Sequence, residues 1–207
     1  MRGVGVRRAL GRIKWRIARA ASVRRAVGQA RSFASAQPTA VRICWDLDNT
    51  LVASGKLLAR GLTLDRAVVD AYPVDNMLDY YDAVRNALPE ASHFILSARP
   101  ANMRGATQTW LEQNGLTPER SAVCLVPEPD IKPRIWAELA RGTQLVIVDD
   151  LRFNHEAEIP DLYHDLIDLA DDVAVAYIGG ETIDRLETGE VTPTAAAQTL
   201  AAKVTRA

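Results

Sequence analysis

"VRICWDLDNT", residues 41–50, is an apolar run that stops abruptly on two aspartates, Asp46 and Asp48, one residue apart. β-Branched and aromatic residues suit a strand, and acids at its end avoid the cost of burying carboxylates inside a sheet. The same kind of run recurs four times, as "HFILS" (93–97), "AVCLV" (122–126), "QLVIVD" (144–149) and "VAVAYI" (173–178). Between these runs the apolar period changes to that of a helix. Met77, Tyr81, Val84 and Leu88 share one face, a second helix starts at Pro100 and stops at Gly115, and "KPRIWAELARG" closes at Gly142. A further helix is expected in "EIPDLYHDLIDLA" (158–170). Strands alternating with helices predict an α/β protein: a three-layer, Rossmann-like, doubly wound parallel sheet of about five strands.

The chain has 207 residues and a net charge of -1, which hides an uneven distribution. Residues 1–35 hold ten Arg or Lys and no acid, whereas the remainder holds fifteen basic and twenty-six acidic residues. A basic arm therefore precedes an acidic body. Val6, Leu10, Ile13, Ile17 and Ala20 line one face of the arm, with Arg8, Arg12, Arg16 and Arg19 on another. "FASAQPTA" (33–40) reads as a linker, with residues 36–40 as its core and the folded domain spanning 41–207. Cys44 and Cys124 each sit in an apolar run without metal or disulfide spacing, as expected of small core residues in a reducing compartment. No run is long and apolar enough for a transmembrane span. His93, His155 and His164 also lack ligand spacing and are expected to be structural or exposed.

In an open parallel sheet, ligands bind beyond the carboxyl ends of the strands. The polar residues expected there are Asp46 and Asp48 after the first strand, Ser97 after the second, and Asp149 and Asp150 after the fourth. Four carboxylates on one edge repel one another unless a cation or proton intervenes. Oxygen donors without a histidine set favour Mg2+ over zinc.

"DLDNT", "ILS", a lone lysine and "IVDD", in that order, resemble the four motifs of the haloacid dehalogenase superfamily. The resemblance implies a phosphomonoester hydrolase that forms an aspartyl-phosphate, with Asp46 as nucleophile and Asp48 as general acid and then base. It assigns phosphate binding to Thr50, Ser97 and Lys132. It places Mg2+ among Asp46, the Asp48 carbonyl, Asp149 and Asp150. Lys132 is the only lysine between Ser97 and Asp149. An aspartate two residues after the nucleophile goes with phosphatases and phosphomutases of the family, whereas transport ATPases have threonine. Two positions depart from the common pattern: Asn154 stands where many relatives have an aspartate, and Pro133 follows Lys132.

Taken singly, each motif has a plainer reading: a turn at Asp46–Asp48, a helix cap at Ser97, a solvated Lys132, a loop start at Asp149 and Asp150. Arg99 reads as a surface residue or a phosphate contact. Residues 52–72 are the only stretch left for a flap or small cap, with Lys56, Arg60 and Arg66 as its cations. Such a nearly open site admits large phosphorylated substrates. The arm is expected to meet an anionic membrane surface or nucleic acid, or to act as an organelle-targeting sequence, and to be dispensable for chemistry. The expected location is cytoplasmic or peripheral to a membrane, with targeting by the arm as the other outcome. Two rival functions remain: a non-catalytic binding domain on the same fold, recruited by the arm, and an unrelated DxD metal enzyme.

Overall fold

A computed structural model describes residues 3–54, 69–153 and 161–206. Its five-stranded sheet is wholly parallel, with strands β1 (Val41–Trp45), β2 (Ser92–Ser97), β3 (Val123–Leu125), β4 (Gln144–Val148) and β7 (Ala176–Ile178) in the order β3-β2-β1-β4-β7. The central β1 pairs Trp45 with Ile95 on one side and with Val148 on the other. The chain builds outward through β2 and β3, then crosses to β4, so the topological switch lies between β1 and β4. A short pair, β5 (Arg152–Phe153) with β6 (Asp161–Leu162), stands apart from this sheet.

Side-chain alternation along each strand divides the core in two. Ile43, Trp45, Ile95, Val146 and Val148 face α2 (Met77–Ala87), α3 (Arg104–Gln113), α6 (Gly180–Glu187) and α7 (Pro193–Arg206). Cys44, Phe94, Leu96, Leu145 and Ile147 face α1 (Gly3–Ala36), α4 (Lys132–Leu139) and α5 (His164–Val173). The result is a three-layer α/β fold, as the alternating pattern predicts. Both cysteines are free and buried in this core. His93 lies half-buried beside it, its ring nearly parallel to that of Trp45 and accepting the indole N–H at 3.0 Å. His164 is exposed, and His155 lies outside the described residues.

Three boundaries differ from expectation. The helix expected over 158–170 begins only at His164, because Asp161 and Leu162 pair as a strand first. The alanine-rich tail "TAAAQTLAAK", which in sequence reads only as a low-complexity tract, is the regular helix α7, whose Ala197, Leu200 and Val204 recur at helical spacing and bury against the core. The largest difference concerns the arm: α1 runs unbroken to Ala36, through the first part of the expected linker. Val23, Ala26, Ala30 and Phe33 are buried, and Phe33 packs on Phe94 with ring centroids 4.9 Å apart. Arg42, itself buried, fastens this end by donating to the carbonyls of Ala34 and Leu139, each at 2.8 Å. The second half of the arm therefore belongs to the domain core, not to a tethered appendage. Among the described residues no helix is long and apolar enough to cross a membrane.

Candidate active site

The carboxyl edge of the sheet gathers residues that are remote in sequence. Asp46 leaves β1 still hydrogen-bonded to β4, its N–H donating to the Val148 carbonyl at 2.8 Å. The chain then tightens, with the N–H groups of Thr50, Leu51 and Val52 all donating to the Leu47 carbonyl. Asn49 takes the left-handed conformation (φ 57°), which asparagine tolerates better than most residues. At the end of β4, the Asp149 carboxylate accepts from the Leu151 N–H at 3.1 Å and turns the chain through a left-handed Leu151 (φ 46°). These two turns bring Asp46, Asp149 and Asp150 together, with ligand oxygens within 4.8 Å of one another.

All three acids are buried, and Lys132 lies between two of them. Its ammonium donates to Asp46 Oδ1 at 2.9 Å and to Asp149 Oδ2 at 2.6 Å. Lysine reaches this point from the first residue of α4, where Pro133 fits the first helical turn because its missing N–H has no intrahelical partner there. Burial alone would lower the Lys132 pKa, but Asp149 and Asp46 hold it well above the ordinary lysine value. Burial raises Asp46 to about 7; Lys132 opposes that rise, while Asp149 and Asp48 add to it. Asp150 is pushed well up by burial, then by Asp46 and Asp149. Three carboxylates around one ammonium leave a negative excess with hard oxygen donors, which suits a divalent cation such as Mg2+. Asp46, Asp149 and Asp150 thus could hold a metal ion, and the Asp48 side chain stands outside this trio.

A second cluster adjoins the first. Asp48 accepts from Arg99 twice, Nε to Oδ2 at 2.6 Å and Nη2 to Oδ1 at 2.7 Å, from Ser97 Oγ at 3.1 Å, and from Ser54 Oγ. Burial pushes the Asp48 carboxyl up, yet the Arg99 charge and these hydrogen bonds outweigh it and hold the group below its usual range. Asp48 is therefore a firm carboxylate here. Arg99 is itself fully buried, braced by Thr107 Oγ1 at 3.0 Å, so the surface reading of this arginine does not hold. Thr50 is also fully buried. It receives the Asp150 N–H at 3.1 Å and donates to Asp150 Oδ1 at 3.4 Å, so in this structure it braces an acid.

Every candidate chosen from sequence is thus found on this edge, in two groups: Asp46, Lys132, Asp149 and Asp150 with Thr50 behind them, and Asp48 with Ser97. Sequence reading missed Ser54 and the true place of Arg99. The only cue to Arg99 was its position two residues after Ser97. The expected flap is described only at its base, where the Ala53 N–H donates to the Tyr72 carbonyl and the Val74 N–H to the Leu51 carbonyl, each at 2.9 Å. Its middle, with Lys56, Arg60 and Arg66, lies outside the described residues, as does Asn154. No family model matches the chain, and no curated protein or solved structure matches it.

Proposed function

We propose that this protein is a Mg2+-dependent phosphomonoester hydrolase of the haloacid dehalogenase superfamily, working through an aspartyl-phosphate on Asp46. The observation that carries the reading is the convergence of Asp46, Lys132, Asp149 and Asp150 from two strand ends and one helix start onto one buried point. So costly a concentration of buried charge favours a functional site over a purely structural one.

Lys132 opposes the pull of burial on Asp46, so part of the carboxylate is ionised near neutral pH and can form a bond to phosphorus as the ester P–O bond breaks. Mg2+ held by Asp46, Asp149, Asp150 and the Asp48 carbonyl would neutralise charge between the nucleophile and the phosphate. Lys132 supplies positive charge for the phosphoryl oxygens, and Ser97 Oγ can turn from Asp48 to donate to one of them. Asp48, ionised in the resting arrangement, is ready to take a proton from the water that opens the aspartyl-phosphate. Protonating a poor leaving alcohol demands that Arg99 first loosen its double grip on Asp48. Aryl phosphates, whose leaving groups need no proton, bypass that demand.

The test is hydrolysis of an aryl phosphate with and without Mg2+. Turnover should need the metal and vanish in Asp46→Asn, whose amide is neither nucleophile nor anionic ligand; metal-dependent turnover by that variant would overturn the assignment.

A further inference from the structure

Away from the acidic site, charged side chains also gather where α1 passes α4, and their arrangement follows from the length of α1. Near its C-terminal end α1 lies along the sheet. Gln29 donates to the Val123 carbonyl at 2.7 Å, and Arg31 pairs with Glu138 at 2.9 Å. Towards its N-terminus it rises to the carboxyl edge, where Arg19 pairs with Glu128 and Asp130 in the loop leading to Lys132. Sixteen residues, 3–18, precede that contact, and a helix of that length extends about 24 Å.

The buried stripe of α1 steps back from Phe33 through Ala30 and Ala26 to Val23. At the same spacing, the next positions are Arg19 and Arg16, and the sequence continues the register at Arg12. The stripe thus changes from apolar to arginine at the sheet's carboxyl edge. A cleft of about 400 Å3 opens there, walled by Trp15, Arg16, Arg19 and Arg24 of α1 and Arg134 of α4, with Val23 among its lining residues. Arg19 is spent on its two acids. Among the described residues no carboxylate pairs with Arg16, Arg24 or Arg134. Trp15 has the Arg19 guanidinium 5.8 Å from its ring centroid and remains 55% exposed.

We propose that this cleft binds single-stranded nucleic acid, with Trp15 as a stacking platform and Arg16, Arg24 and Arg134 holding phosphodiesters. The substrate class of the Asp46 site is then a phosphomonoester at the end of a polynucleotide, a step that rests on the hydrolase reading above. Aromatic stacking beside a basic groove is how single strands are held without sequence preference. A bilayer fits less well. The cleft is concave, and exposed Trp15 and Ile17 are two residues apart on a helix, about 200° around its axis, so one flat surface cannot receive both.

Full-length Asp46→Asn protein, which cannot turn over a phosphate, should bind a labelled deoxythymidine strand of about twelve nucleotides with a terminal phosphate, followed by fluorescence anisotropy. Between about 50 and 200 mM salt, log K should fall against log salt with a slope of about −2, from three contacts at about −0.7 each. The slope should collapse in R16Q/R24Q/R134Q. Affinity should drop roughly tenfold in Trp15→Ala and survive in Trp15→Phe. An unchanged slope in the triple variant, undiminished binding by Trp15→Ala, or binding to phosphatidylserine vesicles but not to the strand would overturn the proposal. Aryl phosphate turnover in the parent protein needs none of these residues. Turnover without strand binding therefore sinks this inference alone, and strand binding without turnover sinks the hydrolase reading alone.

Discussion

Replacing Lys132 by methionine keeps the length and packing of the side chain and removes only its charge. The ammonium is buried between Asp46 and Asp149 at 2.9 and 2.6 Å, so its loss leaves a set of carboxylates with no internal counter-charge. Breaking a buried pair by removing one partner costs about 3–5 kcal/mol, which is a large part of the ~5–15 kcal/mol stability of an ordinary domain. The loss should depend on pH in a definite direction. Asp46 in the folded protein sits at about 7, above its unfolded value of about 3.9, so the folded state holds that proton more tightly. Stability contributed by this group is present at low pH and declines as pH rises from about 4 to about 7. Without Lys132 the Asp46 carboxyl rises further. Urea melts of metal-free Lys132→Met should therefore show the full deficit near about pH 7.5 and a clearly smaller one near about pH 5. Mg2+ at roughly a hundred times its Kd should return about 2.7 kcal/mol at the higher pH. A deficit under about 1 kcal/mol, or one equal at both pH values, would refute the picture of an over-charged acidic cluster.

Arg99→Gln should cost about 2–3 kcal/mol, towards the low end for a buried pair because the Asp48 side chain is 27% exposed. A double-mutant cycle with Asp48→Asn, read by urea melts, should recover most of that as coupling. His93 is held at about 4 by burial, below its unfolded value of about 6.5, so its contribution is full above that value and is lost as pH falls towards 4. His93→Gln should remove about 2 kcal/mol of acid sensitivity across that window, and an unchanged pH slope would exclude this histidine as its source. Deleting residues 1–14 should leave melting and aryl phosphate turnover unchanged. Deleting 1–35 should instead unfold or badly destabilise the protein, since loss of buried Phe33 alone is worth about 3–5 kcal/mol.

That last outcome reverses what the charge division of the chain suggests, and the reason is physical. The apolar stripe most visible in the arm's sequence, Val6 to Ala20, is out of register with the one that docks, and the docking stripe is short and rich in alanine. Alanine is apolar enough to bury but too common on helix surfaces to announce an interface. The same ambiguity hid α7, whose "TAAAQTLAAK" reads as low complexity until α2 lies beside it. The strands were legible because a parallel sheet covered on both faces demands near-continuous β-branched runs, a pattern that exposed helices and loops do not share. Asp46, Asp48, Ser97, Lys132, Asp149 and Asp150 were legible because each follows a strand or opens a helix in a fixed order. Arg99 was not. Whether an arginine is buried depends on finding its acid, and that acid is 51 residues away in sequence.

The most direct measurement is acid-quenched mass spectrometry of the protein after brief mixing with an aryl phosphate and Mg2+. A phosphoryl adduct is expected on the peptide containing Asp46. It should accumulate in Asp48→Asn, where the base that opens it is missing, and be absent in Asp46→Asn. A phosphoryl group on another residue, or phosphate release that proceeds unchanged in Asp46→Asn, would contradict Asp46 as the nucleophile.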